Sequence, residues 1–248
     1  MDFGEQRLTR SDQHFFLNST EVRGIQDVNL NYDNNAVPLK HLGMVNSRFL
    51  PVGPQVGSLD LNYLLISSDQ FINYTGNSSF NGFLVKNKNN VIENFGFTDA
   101  YLTSYNFACS VGQIPSVAIS ATTFGNMGRI ASGEAPTNFA AIPSSTLSDL
   151  TISNAGSIDI NMNGFNNNKV ESFGLSITTE RNPIYKLNKK YPNSVQVNWP
   201  VQIEADFQIG GRDYTPQNLR MFPQNTTNGN LIINVKDYQS HNNIISFI

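Results

Sequence analysis

Cysteine is almost missing from this 248-residue chain: Cys109 is the only one, so no intrachain disulfide framework exists and the redox compartment stays open. Charge is scarce as well. Only 14% of residues are Asp, Glu, Lys or Arg, and 19 acids against 16 bases leave a net charge of −3 and a pI near 5.6. That balance lacks the basic footprint of a nucleic-acid binder. Histidine is limited to His14, His41 and His241, none of them spaced from another His, Cys or Asp as metal ligands are. No apolar run approaches the ~20 residues that span a bilayer as a helix. Residues 1–13 are polar with both signs of charge, so the expectation is a flexible arm rather than a secretion signal, on a soluble protein made in a cytoplasm. There is no Gly-x-Ser-x-Gly elbow and no P-loop, and Gly210-Gly211-Arg212-Asp213 lacks the lysine and flanking helix of a phosphate cradle.

What is present is a pattern. Three stretches place apolar residues at relative positions 1, 4, 6 and 8 and a proline at 14. They are Ile25, Val28, Leu30, Tyr32 and Pro38; Leu102, Tyr105, Phe107, Cys109 and Pro115; and Val170, Phe173, Leu175, Ile177 and Pro183. A period of two is a half-buried strand, and the polar stretch ending in proline predicts a hairpin loop with the return strand just after it. The offset between the second and third copies is constant and also matches Ile92 to Ile160, Gly96-Phe97 to Gly164-Phe165 and Ser104 to Ser172. Between copies one and three, Leu61-Asn62-Tyr63 recurs as Val197-Asn198-Trp199. With 39% hydrophobic residues, Asn at about one residue in seven and no long helical periodicity, the expected class is all-β with minor α. The parse is a flexible arm over 1–13, a first β unit over 14–125, a linker or extended loop over 126–155, and a related second unit over 156–248. Asn81-Gly82, Asn163-Gly164 and Asn228-Gly229 suit tight hairpin turns. A helical turn is expected within 68–74 and a short helix from Thr215-Pro216 to Met221.

Candidates for chemistry are few. Cys109 occupies an apolar slot of a repeated strand, as Tyr32 and Ile177 do, and reads as a buried structural thiol. Glu180, Glu204 and Asp206 offer the paired carboxylates of a glycosidase, but two acids at i, i+2 are ordinary on a solvated strand face. Trp199, Tyr185 and Tyr191 suit a sugar platform, though Trp199 is more simply core or interface. No catalytic, cofactor or metal residue is assigned. The polar positions of the repeated strands say more. They are Asp27, Asn29, Asn31 and Asp33; Ser104, Asn106, Ala108 and Ser110; and Ser172, Gly174, Ser176 and Thr178, without one Lys or Arg. Basic residues do occur elsewhere, with Lys186, Lys189 and Lys190 together after Pro183. Two readings stand side by side here: a solvated sheet face, which commonly includes lysines, or a surface that must not bind phosphate.

Taken together these residues resemble the tail tube proteins of bacteriophages and their relatives in baseplate hubs. The similar elements are Phe15-Phe16-Leu17-Asn18 with residues 22–32, Ala100-Tyr101-Leu102-Thr103-Ser104-Tyr105, and residues 170–187, which look like the family's inner hairpin. The resemblance implies a β-sandwich or partial barrel whose hairpins join those of neighbouring copies into a ring. Such rings enclose a continuous β-barrel and stack into a tube that carries DNA. A single-unit chain would form a hexamer, and this doubled chain suggests a trimer with pseudo-six-fold symmetry as well. The implied partners are further copies of the chain, other virion tail proteins and passing DNA without specific binding, with no membrane, no cofactor and no enzymatic activity. The implied place is the virion, assembled in the host bacterial cytoplasm. Asp27, Asn29, Asn31, Ser104, Asn106, Ser110, Ser172, Ser176 and Thr178 are then expected to face the lumen. Val28, Leu30, Pro38, Tyr105, Phe107, Pro115, Phe173, Leu175 and Pro183 are expected in the inter-subunit hairpins. Alternatives are a neck, head-decoration or fibre-base protein, and a carbohydrate-binding β-sandwich centred on Trp199.

Overall fold

A computed structural model of the chain describes residues 13–18, 20–33, 36–39, 48–51, 54, 56–66, 68–88, 91–129, 158–162, 165–166, 170–187, 189–209, 232–236 and 243–247. The fold is all-β. Its strands are β1 (Gln13–Leu17), β2 (Thr20–Val22), β3 (Ile25–Asp33), β4 (Ala36–Leu39), β5 (Arg48–Pro51), β6 (Val56–Leu64), β7 (Phe80–Lys88), β8 (Val91–Ser110) and β9 (Ser116–Thr123). They continue as β10 (Met127–Arg129), β11 (Ile158–Met162), β12 (Phe165–Asn166), β13 (Val170–Thr178), β14 (Arg181–Ile184), β15 (Ser194–Val197), β16 (Gln202–Ile209), β17 (Ile232–Lys236) and β18 (Asn243–Phe247). Among the described residues the only helical element is a 3₁₀ turn over Phe71–Tyr74, inside the stretch expected to turn. The expected arm up to residue 12, the helix from Thr215 and the Asn228-Gly229 turn lie outside the described residues.

The alternating parts of the three sequence repeats lie in β3, β8 and β13 of one sheet, each in an antiparallel pair. β3 pairs with β6, β8 with β9, and β13 with β16, and these pairs adjoin in the order β3-β6-β9-β8-β13-β16. The long strand β8 joins this set to a second region of the same sheet: its first half pairs with β7 and β10, and β7 leads on through β1 to β2. A four-stranded sheet, β12-β11-β17-β18, lies against the large one, since Ile233 and Val235 belong to the same core.

Three local expectations are corrected. The strand holding the repeat proline is not the return strand in copies one and three. Pro38 lies in β4, which pairs with β5, and Pro183 lies in β14, which pairs with β15, so each forms a separate small hairpin between the main strands. Proline cannot donate a ladder bond, which suits a two-stranded ribbon better than the interior of a large sheet. Only copy two returns directly, with β9 following Pro115. The counterpart of β6 is therefore β16, and Trp199 does not match Tyr63: Tyr63 is buried in β6, whereas Trp199 is 79% exposed between β15 and β16. Asn81-Gly82 is not a turn either. Both residues lie within β7, and a side chain at Gly82 would place its Cβ 2.1 Å from the buried ring of Phe97. The glycine there makes room for an aromatic rather than for a reversal. The expected Asn163-Gly164 turn lies outside the described residues, and the strands on either side, β11 and β12, pair antiparallel. At the start of the expected linker, Met127–Arg129 forms a strand on β8.

The apolar positions build one core. Leu59, Leu61, Leu102, Tyr105, Phe107, Val117, Ile119, Phe173 and Leu175 all point to the face that packs on Phe15, Phe71, Phe80 and Phe97. Each such side chain stabilises the fold by roughly 1.5–3 kcal/mol of transfer free energy. Within this core sits Asp69. Its carboxylate accepts from the Tyr63 hydroxyl at 2.8 Å, the Tyr105 hydroxyl at 2.5 Å and the Phe71 backbone N–H at 2.8 Å, which ties the 3₁₀ turn to β6 and β8. Burial raises the Asp69 pKa above its ordinary 3.8 despite these bonds, and burial beside Asp69 pushes both tyrosines well above 10.

Asp69→Ala leaves three buried donors without an acceptor, at about 1–3 kcal/mol each, and is expected to cost about 3 kcal/mol or more in urea unfolding. Because folding raises the Asp69 pKa, the native state binds the extra proton, so its contribution to stability falls as pH rises from 3.8 through the raised value. The stability of wild type relative to Asp69→Asn should therefore decline over that window, which a series of urea curves at increasing pH measures.

Candidate functional site

The face opposite the core is a ladder of short polar residues crossing six strands. One rung runs Asn29, Asp60, Ser120, Ser104, Thr178, Gln202, and the next Asp27, Asn62, Ala118, Asn106, Ser176, Glu204. Further along come Leu64, Ser116, Ala108, Gly174 and Asp206, then Ser110, Ser172 and Gln208. On the other side Asn31, Ser58 and Thr122 continue it. No Lys or Arg stands at any of these positions, while Asp27, Asp60, Glu204 and Asp206 do. The contact between His14 and Glu21, at 2.6 Å, lies away from this face.

The side chains of the face bond to one another. Ser120 donates to Asp60 at 2.7 Å, Asn106 to the Ser104 hydroxyl at 2.9 Å, Gln202 to Glu204 at 2.5 Å, and Ser172 to Gln208 at 3.2 Å. Local pairing of this kind ties the polar groups to one another across a weakly acidic surface, and at its end Tyr101 continues the rung of Thr122 with the Arg181 guanidinium over its ring.

All nine residues expected on this surface share one face by register, and all are exposed or half-buried. β6, β9 and β16 complete it with Ser58, Asp60, Asn62, Ser116, Ser120, Thr122, Glu204 and Asp206, which the repeat pattern did not include. Their signal was present as plain alternation with Leu59, Leu61, Val117, Ile119 and Ala121. The residues expected in inter-subunit hairpins fall differently. Tyr105, Phe107, Pro115, Phe173 and Leu175 are buried within the chain, Val28, Leu30 and Pro183 are half-buried, and Pro38 is placed only as part of β4. Among the described residues the six strands of this face end at β3 on one side and β16 on the other, and the second region of the sheet ends at β2 and β10.

The remaining candidates do not converge. Glu204 and Asp206 are exposed on one face of β16, while Glu180 lies beyond β13 and accepts from Asn198. Tyr191 is half-buried and hydrogen-bonds Asn126. Among the described residues no group of three His, Cys, Asp or Glu is placed to hold a metal ion. The β14–β15 hairpin is anchored by Arg181, whose Nε donates to the Leu102 carbonyl at 2.8 Å and whose guanidinium lies over Tyr101. Its two terminal nitrogens are buried without a hydrogen-bond partner among the described residues, and burial lowers its pKa. Beyond it Ile184, Tyr185 and Leu187 are exposed beside Lys186, Lys189 and Lys190.

Cys109 is buried in β8, and desolvation pushes its thiol up to about 11. A disulfide-exchange reagent at pH 8 should leave the native thiol unreacted for hours and titrate one equivalent on unfolding in guanidinium.

No protein-family model and no curated protein matches this chain. Among solved structures, it is similar to a chain in "Virion of native gene transfer agent (GTA) particle", with TM-score 0.35 and 14% identity over 50% of this chain and 100% of that one. It is also similar to a chain in "Cryo-EM structure of the anti-feeding prophage (AFP) baseplate, 6-fold symmetrised", with TM-score 0.33 and 9% identity over 48% and 91%.

Proposed function

We propose that this chain is a structural subunit of a phage-type virion, a tail tube or tube-like hub component. Copies close into a ring through their open sheet edges and turn the cation-free face toward a channel for DNA. The observation that carries the reading is the extent of that face. An ordinary solvated sheet face mixes in lysines, which also guard its edges. Here six adjacent strands exclude them, although the chain places three lysines on one nearby loop.

The chemistry follows from polyelectrolyte physics. Each cation that neutralises a phosphate releases condensed counterions and adds affinity, so a channel that lets DNA slide must offer none. Amides and hydroxyls bonded to one another give passing phosphates a wet wall without fixed positive charge. A few carboxylates add mild repulsion, screened within about 8–10 Å at physiological salt. Ring closure also resolves the exposed edges of β3 and β16, which in a free monomer are templates for uncontrolled pairing. Residues 14–125 and 156–248 are taken as related units in this reading, because β3·β6 and β13·β16 each carry a small hairpin at the same end of the sheet.

Electron microscopy of purified protein is expected to show rings with an open centre, of three or six copies, stacking into tubes. Such rings should leave duplex DNA free in a gel-shift assay at 0.15 M salt. The triple variant Asn29→Lys, Asn106→Lys, Ser176→Lys should keep the ring and retain DNA in a salt-sensitive manner. A monomer at every concentration, or wild-type rings that bind duplex as tightly as the lysine variant, would sink the proposal.

A further inference from the structure

The two strands that end the polar face, β3 and β16, have sequences that fit each other in one register. Because the six strands alternate in direction, β3 and β16 run oppositely, so β16 of one copy meets β3 of the next as an antiparallel pair. We infer that this contact pairs Asn29 of one copy with Asp206 of the next, and with it Asp27 with Gln208, Asn31 with Glu204, Val28 with Phe207, Leu30 with Ala205 and Tyr32 with Ile203. This rests on the ring reading above and names the contact that closes it.

Three independent requirements select that register. The first is facial. A shift by one residue would set the polar face of one copy against the apolar face of the next, so only even shifts survive. The second is length. In this register seven of the eight residues of Gln202–Ile209 face Asp27–Asp33 and only Ile209 meets the irregularity of β3 at Gln26, whereas a shift of two residues either way leaves more of them without a regular partner. The third is charge. Every acid on the two outward strands then faces an amide: Asp27 faces Gln208, and Asp206 and Glu204 face Asn29 and Asn31. Moving β16 by two residues one way sets Asp27 against Asp206, and by four it sets Asp27 against Glu204. Like charges directly opposite on a strand pair are destabilising.

The apolar side supports the same alignment. Ile203 is 63% exposed and Ala205 is exposed, although both point to the face that is core elsewhere in the sheet. Val28, Leu30 and Tyr32 are only half-buried on the opposite edge. The partner is therefore a second copy of this chain: what each edge lacks, apolar cover and amides opposite its acids, the other edge supplies. Within one copy Asp27 shares a rung with Glu204, so pairing Asp27 with Gln208 staggers successive copies by four residues. A closed barrel of tilted strands requires such a shear, and an even value keeps the faces aligned.

Engineered cysteines read the register directly, since the single native thiol is buried. Asn29→Cys with Asp206→Cys places the two thiols on directly opposed residues, within the Cα separation of about 4.4–6.8 Å that a disulfide spans. Asn29→Cys with Glu204→Cys places them diagonally, about 7–8 Å apart. After mild oxidation of assembled full-length protein, the first pair should give a ladder of covalent oligomers on a non-reducing gel. Its yield should be at least about tenfold above that of the diagonal pair. Asn31→Cys with Glu204→Cys should repeat the ladder. Rings that cross-link through the diagonal pair, or through neither opposed pair, overturn this register and leave the ring reading intact. Absence of rings in the micrographs of wild type overturns both.

Discussion

The second half of β8 is the constraint on which the other strands depend. Over residues 104–108 it is hydrogen-bonded along both edges, to β9 on one side and β13 on the other. Side chains alternate with a period of two, so the register of this strand decides which face of β9, β6, β3, β13 and β16 meets the core. A slip by one residue would bury Ser104 and Asn106 and expose Tyr105 and Phe107. The Asp69 carboxylate guards against that slip, because it accepts from Tyr105 on β8 and Tyr63 on β6 at once. A buried polar network of this kind is favourable only when all its members find their partners, which makes it a test of register that apolar packing alone does not supply.

The bend that lets β8 serve two regions of sheet is equally specific. Its first half pairs with β7 and β10 and its second with β9 and β13, with a positive backbone φ of 52° at Asp99 and a register shift between Leu102 and Ser104. An aspartate tolerates the left-handed region better than most residues, and irregularities of this kind re-aim a strand. The aromatic contacts Phe15–Phe97 and Phe80–Phe97 fill the angle between the two regions. This is why Gly82 lies inside a strand: the ring of Phe97 occupies the place of its side chain.

Much of this was legible in the sequence, and the rest failed for physical reasons. The alternation in residues 25–32, 102–109 and 170–177 identifies strands, faces and the polar set Asn29, Asn106 and Ser176, since period two is a local property. Pairing partners are not local. The prolines at 38 and 183 marked the right places but the wrong partners, because a small hairpin inserted between two main strands reads in sequence like the return strand itself. The likeness of Trp199 to Tyr63 spans only three residues, and the first lies in a connection while the second is in the core. The Asp69 network had no signal in the pattern at all, because its tyrosines are separated from it by 6 and 36 residues and only the sheet brings them together.

The placement of charge ties these levels together. Acids on the sheet face stand beside amides and hydroxyls, while Lys186, Lys189 and Lys190 lie beyond β14. That hairpin leaves the sheet past Thr178, at the end opposite the turn that links β8 to β9. A chain that needed only solubility would scatter lysines over the exposed face and edges, where they also discourage strand addition. Excluding them leaves β3 and β16 open and unguarded, a liability for a monomer and a requirement for a subunit that closes edge to edge. The same alternation that builds the core thus produces both the weakly acidic face and the two complementary edges, so neither can be altered without changing the other.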